Sequence, residues 1–174
     1  YGAITEYLGF EMLDGEFKVM GMAPYGDARR IDVSPLIQWN ERGFRVNTRL
    51  VNCIGWRRHK RVGRGGELKG TYFSPKLIEQ WGPARVGDEI DDPYVHIAAA
   101  VQQQLEDILL ALTRHFLGRH IARTKRLCYA GGVALNVKAN QRLIQMMGPG
   151  HELFVQPAAS DAGTALGAAT YAAH

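Results

Sequence analysis

Leu127-Cys128-Tyr129-Ala130-Gly131-Gly132-Val133-Ala134-Leu135-Asn136 is the stretch on which the fold turns. A short apolar run meeting two glycines has the form of a buried strand that enters a tight turn. Residues 134–147 then read as a helix, with Leu135, Ala139, Leu143 and Met147 on one face and Gly148-Pro149 as its stop. Leu153-Phe154-Val155 reads as the next strand, stopped by Pro157, and a last helix is expected from about Asp161. Upstream, Asp92-Pro93 supplies a cap and a first-turn proline. Val101, Leu105, Ile108, Leu109, Leu112 and Phe116 then recur at spacings of three and four, which predicts a long amphipathic helix ending near Gly118.

Helix, strand, helix, strand, helix with short apolar strands argues for an α/β arrangement holding a parallel pair. Both strand-to-helix turns of such a pair fall at one sheet end, where ligands of these folds sit. The first turn, Gly131-Gly132-Val133, lets backbone N–H groups approach a ligand without a Cβ in the way. The positive end of the following helix favours a phosphate there, and Asn136 can add a side-chain amide. The same glycines also suit a turn built for packing alone, and the pattern is neither GxGxxG nor a Walker A loop. In the second turn, Ala158-Ala159-Ser160-Asp161-Ala162-Gly163, Ser160 and Asp161 are good helix caps. Ala162, Gly163 and Gly167 make a nearly bare face. A carboxylate beside a phosphate loop is repulsive unless a cation lies between them, so Asp161 is also a candidate metal ligand.

The first half divides into short pieces at its glycines. Helices are expected over residues 1–8, stopped by Gly9, and over 16–22, closed by Pro24-Tyr25-Gly26. Ser34-Pro35 predicts a further helix start, 44–53 a weak extended segment, and Ser74-Pro75 a helix that Gly82-Pro83 ends. Lys18 could reach a phosphate, although a single lysine on a short helix is ordinarily solvated. His96 is expected to support the cap of the long helix, and His115 and His120 to lie on the surface.

With 174 residues, 46% hydrophobic and 22% charged, the chain has the balance of an ordinary globular domain. Cys53 and Cys128 are too few for a disulfide framework, no Cys/His spacing suggests zinc, and no apolar stretch is long enough for a membrane span, so a cytoplasmic setting is expected. The net charge of +4 is local: Arg57, Arg58, Lys60, Arg61, Arg64 and Lys69 face only Glu67 within 57–69, a stretch that reads as a loop. Tyr72 and Phe73 beside it give the arrangement of a nucleic-acid contact. The chain opens at Tyr1 inside a helical pattern and closes at His174 without a stop signal, so it reads as a piece of a longer protein.

Three stretches together resemble the O-carbamoyltransferases of the nodulation-factor and cephamycin type. They are Gly15-Glu16-Phe17-Lys18-Val19-Met20-Gly21-Met22-Ala23-Pro24-Tyr25-Gly26, Ala130-Gly131-Gly132-Val133-Ala134-Leu135-Asn136, and Gln156-Pro157-Ala158-Ala159-Ser160-Asp161-Ala162-Gly163. The helix from His96 through Gln102 is similar too. The resemblance implies an actin/hexokinase-like (ribonuclease H-like) ATPase fold, shared with hydrogenase-maturation carbamoyltransferases and the tRNA threonylcarbamoyladenosine synthase. Residues 1–174 would be most of its second lobe, with a helical insertion in the N-terminal half; the first lobe and a C-terminal small domain would lie elsewhere in the same polypeptide. It implies that ATP and carbamoyl phosphate give carbamoyladenylate, from which a carbamoyl group passes to a small-molecule hydroxyl beside a bound divalent metal, commonly iron. By position, Gly131, Gly132, Val133, Asn136 and Gly163 would hold the nucleotide, Lys18 would approach it, and Asp161 would be a metal ligand.

Ser160 stands where the family has glycine, and the family's His-x-x-x-His metal motif is absent from this chain. The 174 residues alone are therefore expected to be inactive and to bind metal poorly. Two rival readings are an actin-like ATPase or sugar-kinase lobe using the same glycine turns, and a basic module gripping nucleic acid through 57–69. The second is disfavoured because no basic surface continues that track.

Overall fold

The computed structural model describes residues 1–51, 59–62 and 68–173, which fall into two compact units, Tyr1–Leu105 and Glu106–His174. In the first, helices α1 (Gly2–Tyr7) and α2 (Glu16–Met22) keep the expected limits. Leu8 caps α1, and Gly9 follows at φ +80°, a conformation that costs glycine little. A 3₁₀ turn (Ala23–Tyr25) prolongs α2 as far as Gly26.

Ser34-Pro35 does not start a helix. The Ser34 N–H donates to Asp32 Oδ1 at 2.9 Å and the Leu36 N–H to the Val33 carbonyl at 3.0 Å, so an Asp-anchored turn delivers the chain into β1 (Ile37–Asn40). β1 pairs antiparallel with β2 (Gly43–Val46). The basic stretch is not wholly loop either: β3 (His59–Val62) and β4 (Leu68–Thr71) form a second antiparallel pair, with His59 opposite Thr71 and Val62 opposite Leu68. Cys53, Trp56, Arg57, Arg58, Arg64 and Glu67 lie outside the described residues. Helix α3 (Pro75–Trp81) starts where expected, with Ser74 Oγ accepting from the Leu77 N–H at 3.3 Å, and stops at Gly82.

The core of this unit gathers α1, α2, α3 and the start of α4 (Tyr94–Thr124) around Tyr7, Leu8, Val19, Phe73, Leu77 and Ile97. The Tyr7 hydroxyl donates to the Gly82 carbonyl at 2.9 Å, and its ring meets Phe73 and Trp81 edge-on at 5.3 and 5.8 Å. Tyr72 and Phe73 are both buried here, so they are not the exposed aromatics a nucleic-acid contact needs.

Helix α4 runs past Gly118 to Thr124. An interior glycine costs a helix only about 1 kcal/mol, and the chain first turns left-handed at Lys125, φ +61°. Its buried stripe also differs from the predicted one. Beyond Val101 the buried positions are Gln102, Glu106, Leu110, Thr113 and Ile121, whereas Phe116 is 52% exposed. Two of its polar groups have partners within their own units: Gln102 Oε1 accepts from the Tyr1 hydroxyl at 2.8 Å, and Glu106 binds Arg142 at 2.9 Å.

The second unit contains β5 (Arg126–Tyr129) and β6 (Glu152–Val155), parallel, with Leu127 opposite Leu153 and Tyr129 opposite Val155. Helix α5 (Val137–Met147) lies between them in sequence and α6 (Gly163–Ala172) after them. Ala139, Leu143 and Met147 are buried, as the helical face predicts, but Leu135 is 53% exposed. The strands are not buried in the expected way: Arg126, Cys128, Glu152 and Phe154 alternate outward, and none of the α6 residues is buried.

Candidate functional site

The two strand-to-helix turns of the second unit stand side by side. The Gly131 N–H donates to the Ala159 carbonyl at 2.7 Å, and one step earlier the Gln156 N–H donates to the Tyr129 carbonyl at 3.1 Å. The ladder of the parallel pair thus continues into a direct bond between the turns. Gly131 has φ +104° and ψ 167°, a conformation essentially reserved for glycine. A Cβ on Gly131 or Gly132 would meet nothing within 4 Å among the described residues, so the outer side of this turn is open.

The segment after the glycines differs from the expected helix. Residues Gly132–Leu135 form a 3₁₀ turn, and α5 begins only at Val137 with Asn136 as its N-cap. Asn136 Oδ1 accepts from the Ala139 N–H at 3.0 Å, so that oxygen closes the helix end. The positive end of α5 is therefore capped and begins beyond the glycines. What the first turn presents is backbone: the Gly132 and Val133 amides precede the turn's first internal bond, from the Ala134 N–H to the Gly131 carbonyl at 2.9 Å. Val133 is 43% exposed at the same turn. Behind it, Asn140 Nδ2 donates to the Ala134 carbonyl at 2.7 Å.

In the second turn, the Asp161 backbone carbonyl accepts from the Thr164 N–H at 3.1 Å and from Thr164 Oγ1 at 2.6 Å, while its carboxylate stands exposed. Among the described residues no three His, Cys, Asp or Glu side chains gather where they could hold a metal ion. One carboxylate does not make a metal site, so a metal at Asp161 needs ligands from outside the described residues and no chemical step is derived through it. Gln156 bridges back to the Ala158 N–H, fixing the start of this turn.

Gly163 serves packing. A Cβ there would lie 2.4 Å from the Ala158 carbonyl oxygen, whereas one on Gly167 would meet nothing within 4 Å among the described residues. Both glycines line an open groove of about 610 Å³ with Gln156, Leu166, Thr170 and Tyr171. Gly163→Ala should therefore cost roughly 1–3 kcal/mol through displacement of the second turn. Gly167→Ala, in the middle of α6, should be neutral or gain up to about 1 kcal/mol. Thermal unfolding of both variants tests this; equal effects would contradict it.

Lys18 belongs to the first unit. It is exposed on α2, its ammonium 5.7 Å from the centroid of the Phe10 ring and 5.9 Å from that of Phe17. It shares an exposed face with Phe17, Gly21, Pro24 and Tyr25. His115 and His120 are exposed, as expected. His96 does more than support a helix cap. It is buried, and Asp27, Arg30 and Asp92 converge on its ring.

Fold and site together define an α/β unit that presents a glycine turn and an acidic turn at one end of a parallel pair. Residues 1–170 match the family described as the carbamoyltransferase N-terminus, and the chain belongs to that family. It is similar to nodulation protein NolO of Bradyrhizobium diazoefficiens, 37% identical over 170 residues, which cover 97% of this chain and 27% of that one. Nodulation protein NolNO of Sinorhizobium fredii is 37% identical over 171 residues, 97% of this chain and 22% of that one. An uncharacterized protein of Synechocystis is 34% identical over 174 residues, 97% and 26%. The chain thus spans about a quarter of the length of the curated relatives it matches. No helix among the described residues is long and apolar enough to cross a membrane.

Proposed function

We propose that this chain is part of an O-carbamoyltransferase and that its paired turns hold the phosphate of an adenylate. The observation that carries this reading is the 2.7 Å bond from the Gly131 N–H to the Ala159 carbonyl, which places a bare glycine turn directly beside the turn bearing Asp161. Membership of the carbamoyltransferase family supports the reaction class. The wider architecture in this proposal is the second lobe of an actin/hexokinase-like domain, completed by other parts of a longer polypeptide.

Carbamoyladenylate, made from carbamoyl phosphate and ATP, presents a carbamoyl carbonyl whose leaving group is the adenylate phosphate. In transfer to a hydroxyl, negative charge builds on that phosphate as the bond to the carbamoyl carbon breaks. The Gly132 and Val133 amides are suited to take it up, since fixed backbone donors need no reorganisation as charge develops. Asn136 keeps the turn in place through its cap, and Gly163 keeps the second turn tight, with no Cβ against the Ala158 carbonyl oxygen. In this proposal Asp161 is kept for a metal, and removal of the acceptor's proton falls to the acceptor or to residues beyond this chain. The isolated 174 residues are accordingly expected to bind nucleotide without transferring a carbamoyl group; turnover by this chain alone would overturn that part of the proposal.

Gly132→Asp tests the phosphate turn. The position has open space for a Cβ and lies outside the left-handed region, so the variant should melt as the wild type does without ligand. With ATP, the wild type should gain melting temperature by mass action, while the added carboxylate should weaken binding at least about tenfold, roughly 1.4 kcal/mol. Equal shifts in both proteins, or none in either, would remove the support for this reading.

A further inference from the structure

The His96 ring sits in the first turns of α4 with both nitrogens engaged. Nδ1 lies 2.8 Å from the Asp27 backbone nitrogen, whose N–H donates to it. A ring nitrogen that accepts carries no proton, so the proton of the neutral ring is on Nε2. Nε2 lies 2.7 Å from Asp92 Oδ1, and its N–H donates to that carboxylate. Arg30 Nη1 donates to Asp92 Oδ2 at 3.0 Å and lies 2.6 Å from the same Nε2. Asp92 therefore gathers two donors that cannot bond to each other.

This ring fastens one particular joint. Gly26, just before Asp27, is pressed against α4 so closely that a Cβ would lie 2.0 Å from the Val95 carbonyl oxygen. The only side-chain bond that the described residues give the Asp27 amide comes from His96, so the imidazole closes the joint between the end of the α2 segment and the start of α4.

We propose that His96 is a proton-operated latch: neutral, it holds the Asp27 amide; doubly protonated, it releases the Gly26–Asp27 turn from the start of α4. A second ring proton must go to Nδ1, and it converts the acceptor into a donor that faces another donor 2.8 Å away. That bond cannot survive, and the amide must move off. The charged groups around the ring are Asp92 from the approach to α4 and Asp27, Arg29 and Arg30 from the turn packed against it. Asp92 attracts the imidazolium, while Arg30 holds part of the same carboxylate and repels it. Hydrogen bonds from the Arg29 side chain and backbone lower the Asp27 carboxyl to about 2, so this carboxylate keeps its charge while an imidazole titrates. The one change at the joint is then the proton on Nδ1. The latch does not depend on nucleotide binding.

Nuclear magnetic resonance of the 174-residue chain tests it. At neutral pH the His96 ring should be the Nε2–H tautomer, with Nδ1 showing the shift of an accepting nitrogen. In a titration run from about pH 8 down to about 5, the Asp27 amide should move to the shift of a non-bonded N–H, with the same midpoint as the ring. His96→Asn places an amide oxygen near the Nδ1 position, so it should keep the Asp27 amide in its neutral-pH position across that range. A ring proton on Nδ1 at neutral pH would overturn the proposal, as would a ring that titrates while the Asp27 bond persists, or a ring that stays neutral until the chain unfolds. The coincidence of midpoints is read in the wild type, so the test stands even if the variant fails to fold.

Discussion

Gly26→Ala is expected to destabilise the first unit by about 3 kcal/mol or more, at the upper end of what overpacking costs. The added Cβ would lie 2.0 Å from the Val95 carbonyl oxygen, 2.4 Å from the Val95 carbonyl carbon and 2.8 Å from the His96 nitrogen. All three are backbone atoms of α4, so no side chain can swing away to make room. Relief requires the turn to lift from the helix, which also breaks the bond from the Asp27 N–H to His96 Nδ1. Gly21, five residues earlier in the same glycine-bearing segment, is the control. It is the last residue but one of α2, with nothing within 4 Å of a Cβ among the described residues, so Gly21→Ala should stabilise by up to about 1 kcal/mol through the lower entropy of the unfolded chain. Denaturant unfolding of both variants decides the matter, and a tolerated Gly26→Ala would mean that Gly26 does not touch α4.

Tyr7→Ala is expected to cost roughly 3–5 kcal/mol, the range for removing a buried aromatic ring. The ring is fully buried, packs edge-on against Phe73 and Trp81, and its hydroxyl bonds to the Gly82 carbonyl at the end of α3. Truncation leaves a cavity between α1 and α3 and takes away the donor to that carbonyl. Tyr7→Phe keeps the ring and should cost about 1 kcal/mol, the net worth of one hydrogen bond. The same phenol makes stability depend on pH. Burial, with Tyr94 adding to it, pushes its pKa from 10.0 up to about 12. Because the folded value is raised, the contribution is fully present below about pH 10 and is lost as pH rises through about 12. Urea unfolding across that range should show the decline in the wild type, and Tyr7→Phe should show less of it. Identical alkaline profiles would mean that the phenol is solvated in the folded protein.

The limits of α1, α2 and α3 were legible because local signals fix them: the Gly9 stop, the Pro24-Tyr25-Gly26 close, a Ser-Pro start and a Gly-Pro end. Gly118 misled because one interior glycine does not end a helix, and the left-handed residue that follows α4 is Lys125, which carries no sequence signal for the role. Ser34-Pro35 misled because Asp32, two residues before the serine, competes for its N–H and makes a turn instead of a first helical turn. The apolar spacing of α4 pointed to Phe116, but the buried stripe runs through Gln102, Glu106 and Thr113. Buried polar groups are tolerable only where partners such as Tyr1 and Arg142 exist, and periodicity carries no information about partners 36 or 101 residues away.

By itself the sequence determined the parallel pair and the neighbourhood of its two turns, because strand, crossover helix and strand leave the chain one short way to close. It also determined the family, through motifs whose order and spacing survive in a linear reading. Only the tertiary structure decided what the glycines are for: Gly26 yields room to the Val95 backbone of α4 and Gly163 to the Ala158 carbonyl of its own turn, while Gly132 leaves space open. It decided likewise that the helix after the glycine turn starts late and is capped by Asn136, and that His96 is pinned between Asp27 and Asp92. The reason is physical. Periodicity and turn chemistry act between neighbours in sequence, whereas the clearance around a Cα and the partner of a ring nitrogen are set by atoms that folding brings from elsewhere in the chain.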